Sequence, residues 1–117
     1  MDYLKLLTNL KKDLILSNED FPSVKFFRKD IVSVWVWFIV LENFFNGKKN
    51  ISTEEILREI PSQYSSRPKI FNIINDGVKK KFFYKVKNKK DTRKYIVLPT
   101  DLCVDQFKKW SLIFKGF

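Results

Sequence analysis

Eleven of the chain's 23 lysines and arginines lie between Gln63 and Lys94, against two acids, Asp76 and Asp91. That segment accounts for +9 of a formal net charge of +10. Cations concentrated in this way neutralise phosphates and release their counterions, which is the chemistry of polyanion binding. The types are ordered along the segment. Gln63, Ser65, Ser66, Arg67, Lys69 and Asn72 carry amide, hydroxyl and guanidinium groups that can address base edges or phosphates, with Arg67 suited to a bidentate contact on guanine. Lys79, Lys80 and Lys81 follow, then Lys85, Lys87, Lys89, Lys90, Arg93 and Lys94, whose chemistry is that of backbone contacts with a tip able to track a minor groove. The plain alternative, a solvated lysine-rich surface, predicts charge spread over the chain.

Other chemistries lack their residues. The chain has no histidine and one cysteine, Cys103, so a zinc site of Cys/His type and Ser-His-Asp or Cys-His catalysis cannot be assembled within it. Glu54, Glu55 and Glu59 fit the favourable N-terminal end of a helix and a solvated face, not an acid/base pair. Neither a cofactor, a metal nor an enzymatic activity is expected. Cys103 at a helix start could be a redox-sensitive thiol, but packing is the ordinary role of such a residue.

The elements that position the basic groups can be read locally. Ser52 with Glu55 forms a capping box, and Ile51 with Ile56 a hydrophobic staple, opening a short helix that ends at Pro61. After a turn at 61–66, a helix capped by Ser65, Ser66 or Arg67, with Pro68 in its first turn, places Ile70, Ile73, Ile74 and Val78 inward and Lys69, Asn72 and Asp76 outward. Two helices joined by a short turn present the second to a major groove. Strands are predicted at 82–87 and 93–98 around a turn from Asn88 to Asp91.

Upstream, 30–46 is rich in strand-favouring residues but reads as a buried helix, capped by Asp30 and stopped by Gly47. Residues 2–16 form an amphipathic helix with Tyr3, Leu6, Leu7, Leu10 and Leu14 on its apolar face and Asp13 off it, followed by a polar break from Ser17 to Pro22. Thr100 and Asp101 start a last helix carrying Leu102, Phe107, Trp110 and Phe114.

The length of 117 residues suits one domain: an N-terminal helix and linker at 1–29, a core at 30–99 and a C-terminal helix at 100–117. The most apolar run, 34–41, is far shorter than the roughly 20 residues a bilayer requires. It also lies too deep in the chain for a signal peptide, so a cytoplasmic location is expected.

The stretch 52–100, and best of all Phe82-Phe83 through Asp91-Thr92-Arg93 to Thr100, resembles the winged helix-turn-helix regulators of the multiple-antibiotic-resistance (MarR) family. The resemblance implies an α+β, mostly α fold: a winged helix-turn-helix domain with additional N- and C-terminal helices. It implies double-stranded DNA as partner, 65–78 as recognition helix, Arg93 in the minor groove, Asp91 shaping the wing, and a homodimer built by the terminal helices. A small-molecule effector is compatible with it, although no residue specifies one. Gly77 stands where the family usually carries an apolar residue. The alternative is a winged-helix module for a protein or RNA partner, with Trp110, Phe114 and Phe117 as exposed anchors.

Overall fold

The computed structural model describes residues 2–48, 50–91 and 93–114, and for 15–19 the backbone alone. Its elements run α1 (Tyr3–Asp20), α2 (Pro22–Phe27), α3 (Ile31–Phe45), α4 (Thr53–Glu59), α5 (Arg67–Lys79), β1 (Phe83–Lys87), β2 (Tyr95–Pro99) and α6 (Asp101–Ser111), then a 3-10 turn at Leu112–Phe114. The local signals become caps. Asp30 accepts from the Ser33 amide at 2.8 Å, Ser52 from Glu55 at 3.2 Å, Ser66 from Lys69 at 3.3 Å and Thr100 from Cys103 at 3.3 Å. Each of these helices thus satisfies one of its otherwise orphaned N–H groups with a side chain from its own first turn.

Helix α3 is the axis of the core, with Val36 and Trp37 fully buried and Val32, Ile39, Val40 and Leu41 nearly so. Gly47 follows it at φ +80, the left-handed conformation that ends helices. Around α3 pack α2, α5 and the sheet, through Val24, Phe27, Ile70, Ile74, Phe83 and Val97. Phe27 joins three of these layers. Its ring stacks on Trp37 at 5.7 Å and lies 4.8 Å from Phe83. A Cβ on Gly77 would stand 3.0 Å from the Phe83 ring and 3.5 Å from that of Phe27. This crowding explains the glycine: α5 approaches the hairpin too closely for a side chain at that position.

β1 and β2 pair antiparallel from Phe83 opposite Pro99 to Lys87 opposite Tyr95. Ser52 bridges Ile96, and the Val97 amide donates to the Ile51 carbonyl at 2.9 Å, so the residues before α4 form the far edge of the sheet. The strands lie within two residues of the predicted ones, and the loop between them runs from Asn88 to Lys94, longer than predicted. Together these elements form a mostly helical α+β fold, a winged helix-turn-helix flanked by terminal helices.

The N-terminal reading needs correction. α1 continues through the predicted polar break to Asp20 and stops only at Phe21. Tyr3, Leu4, Leu7 and Leu14 are exposed, and Leu6 and Leu10 only half-buried, while Asp13 is 3% exposed. The physical reason is a polar cluster. The Asp13 carboxylate meets the Arg28 guanidinium at 2.7 Å and accepts from the Trp110 indole N–H at 2.7 Å. That acid turns its own side of α1 inward, against α6. A second polar tie lies nearby, where Gln106 of α6 accepts from both the amide (2.9 Å) and the hydroxyl (2.5 Å) of Ser23. Buried polar groups are retained when paired in this way.

Trp110 is therefore no exposed anchor: it is half-buried, its ring 5.5 Å from Trp37, whereas Phe114 is 40% exposed. Phe117 lies outside the described residues. Cys103 is fully buried, and burial pushes its thiol up to about 12, with the Trp37 indole pulling weakly the other way. A thiol so protonated is no nucleophile, and packing is its role.

Candidate nucleic-acid interface

α4, the turn at 60–66 and α5 form a helix-turn-helix whose second helix buries Ile70, Ile73, Ile74 and Gly77. That inward stripe leaves Lys69, Asn72 and Asp76 exposed on the opposite side, as the spacing requires. Ser66 is the N-cap. Its hydroxyl oxygen accepts from Lys69 while its proton stays available to an anion. Gln63 is exposed and Ser65 half-buried, and Ser62, Ser65, Ser66, Arg58 and Arg67 line a groove of about 400 Å³ between the two helices. Near the same helix start, partial burial would raise the Asp30 carboxyl. Hydrogen bonding from Ser33 and the charges of Lys69 and Lys29 more than offset this and hold it below its usual range.

The loop between the strands is organised by Asp91, which accepts from the backbone amide of Arg93 at 3.1 Å and from its Nε at 3.3 Å. These bonds, led by the backbone one, hold the Asp91 carboxyl below its ordinary value. Asn88 closes the other side, its amide donating to the Lys94 carbonyl at 3.0 Å and its side chain accepting from the Lys90 amide at 2.9 Å. Thr92 lies outside the described residues. Arg93 projects at 91% side-chain exposure, and Lys87, Lys89, Lys90 and Lys94 are exposed with it.

Two predicted contacts have a different setting. Lys85 is half-buried on the inward side of β1, where Nζ donates to Asn75 Oδ1 of α5 at 2.5 Å and lies 5.7 Å from the Tyr95 ring. It works as a strut between ribbon and helix. Arg67 does not stand free: Nη2 donates to both carboxylate oxygens of Glu54, each at 3.0 Å, and the guanidinium lies 6.0 Å from the Phe71 ring. Asn75 and Glu54 escape sequence reading because each meets its partner across two elements, and no local spacing encodes that meeting.

Helix and ribbon thus form one cationic unit, joined through Lys85 and Asn75 and through the close approach at Gly77. A separate open cleft of about 450 Å³, also basic, lies between Pro22, Lys25, Phe26 and Lys29 on one side and Lys80 and Phe82 on the other. Among the described residues no helix is long and apolar enough to cross a membrane.

No family model matches the sequence, and a search of curated proteins finds no match. Solved structures match in fold. A Staphylococcus aureus MepR–DNA complex superposes with a TM-score of 0.60 at 13% identity, over 96% of this chain and 77% of that one. YusO of Bacillus subtilis gives 0.58 at 13% identity, over 99% and 80%. The heme sensor protein PefR of Streptococcus agalactiae, in complex with heme, gives 0.52 at 19% identity, over 92% and 80%.

Proposed function

We propose that this chain is a transcriptional regulator that binds double-stranded DNA as a homodimer. In this reading α5 enters the major groove with Gln63, Ser65, Ser66, Arg67, Lys69 and Asn72 at or near the bases. The wing lies along the backbone and minor groove, with Lys87, Lys89, Lys90 and Lys94 on phosphates and Arg93 at its tip. Asp91 shapes that tip, and Lys85 keeps the wing at its angle to the helix. Residues 30–99 are the reading unit of a single domain, and 1–29 and 100–117 its dimerisation elements. The regulator acts in the cytoplasm, without a cofactor and without catalysing a reaction.

The observation that carries this reading is the concentration of charge: +9 within one helix and one ribbon that touch each other. The MepR–DNA complex, whose fold this chain shares, supports it. So does α1, whose exposed Tyr3, Leu4, Leu7 and Leu14 offer a partner an apolar face.

Selection from random duplexes at two salt concentrations tests it. The expected result is an enriched motif with two half-sites about 34–36 Å apart. Affinity should fall steeply with salt, and Arg93→Ala should flatten the slope by roughly one unit for every sequence. Absence of binding to any duplex, or affinity indifferent to salt, refutes the proposal. A second reading, a module for a protein or RNA partner, is favoured by the exposed Ile31 and Phe38 of α3, which flank a Trp35 that packs on the exposed Tyr64. It prevails if the purified chain ignores duplex DNA and retains one such partner through that face.

A further inference from the structure

Beside the cationic unit, one acid of α4 faces the ribbon across a narrow cleft. A notch of about 170 Å³ is bounded by Ser52, Thr53, Glu54 and Phe71 on one side and by Arg93, Lys94 and Tyr95 on the other. Glu54 is the one acid in that lining, and it holds Arg67 through Nη2 alone. Arg67 makes no other hydrogen bond among the described residues, so Nη1 and Nε remain able to donate. Behind the guanidinium lies the half-buried Phe71 ring, 6.0 Å away, which limits where it can swing.

We propose that Glu54 is a specificity-determining residue: it orients Arg67 toward a neutral base edge and keeps it off the phosphate backbone. This deepens, and rests on, the duplex-binding reading above. The argument is electrostatic. Any phosphate accepting from the Arg67 guanidinium would stand within a few ångströms of the Glu54 carboxylate, and like charges at that range repel. A guanine edge offers O6 and N7 as acceptors without net charge, so it escapes that repulsion while accepting from Nη1, the end of the guanidinium that Glu54 leaves free. The fixed carboxylate also holds the long arginine in one geometry before DNA arrives, which lowers the ordering cost of a base contact. Arg93 and Lys94, across the notch from Glu54, draw a backbone to the side of that carboxylate. Without Glu54, Arg67 would join them as one more indiscriminate cation.

The experiment compares the wild type, Glu54→Gln, Arg67→Gln and the double variant on the selected duplex and on a scrambled one, across a salt series. For Glu54→Gln the expected result is tighter binding of the scrambled duplex and a salt slope steeper by about 0.9, the value for one added phosphate contact. The ratio of selected to scrambled affinity should fall about tenfold, the order of one lost guanine contact. Adding Arg67→Gln should return the slope to that of Arg67→Gln alone. Thermal midpoints measured in parallel should stay close to wild type, because the pair is exposed. An unchanged ratio and slope in Glu54→Gln overturns the inference, as does an equal loss on both duplexes, the mark of a mere staple between helices. Wild-type protein that binds neither duplex overturns the duplex-binding reading itself, and this one with it.

Discussion

Between Ile51 and Pro99, most helix ends and turns are closed by a side chain from the neighbouring few residues. Ser52 closes onto Glu55, Ser66 onto Lys69, Asn88 onto Lys90 and Asp91 onto Arg93. α1 and α6 also start on local caps, Asp2 onto Lys5 and Thr100 onto Cys103, but what ties them to the rest of the chain is distant in sequence. The polar ties, Asp13 of α1 to Trp110 of α6 and Ser23 of α2 to Gln106 of α6, span 97 and 83 residues of sequence. The winged unit is built from local instructions and a shared apolar core that α6 joins through Cys103 and Val104, whereas α1 is tied by a long-range polar contact and keeps an apolar face outside. The difference separates what holds the basic surface in shape from what leaves an apolar surface over for a partner.

Substitutions can break or sharpen that contrast. The largest effect is expected from Phe27→Ala, which empties the junction of α2, α3, α5 and the sheet. A loss of about 3–5 kcal/mol in urea unfolding is typical of such a cavity. Next is Asp13→Ala, which removes the carboxylate that pairs with Arg28 and accepts from the Trp110 N–H; with Arg28 itself 28% exposed, a discounted cost of about 2–3 kcal/mol is expected in the same assay. If terminal and winged regions are stabilised separately, hydrogen exchange will show protection lost first in α1 and α6. Ser52→Ala removes a cap and should cost about 1 kcal/mol, with faster exchange confined to α4.

Leu7→Ser changes an exposed side chain and should move the denaturation of an isolated subunit by less than about 0.5 kcal/mol. Sedimentation should nevertheless show a weakened dimer. The smallest effect concerns pH. Asp91 titrates lower in the folded chain than unfolded, so its contribution is complete above the unfolded value near 3.8 and disappears as pH falls through the folded one. The Arg93 amide resonance should follow that transition, with little change in α6.

The same contrast explains how much could be read from the sequence. The capping box, the proline-marked start of α5, its isoleucine stripe and the Asp-x-Arg turn depend on neighbours within about four residues, and they stand where expected. Burial in α1 does not: an acid at position 13 turns inward because Arg28 and Trp110 lie there, and a hydrophobic period cannot register that. The setting of Arg67 is another case, since its spacing placed it at the helix start but gave no sign of Glu54. Gly77 looked like a departure until the rings of Phe27 and Phe83 showed what fills the space a side chain would occupy.

The glycine has a mechanical corollary. One benzyl group, that of Phe27, abuts the spine of α5, the foot of the ribbon and the indole of Trp37. Helix and finger therefore behave as a single lever: whatever nudges α2 re-aims both at once, and neither can be retuned without the other.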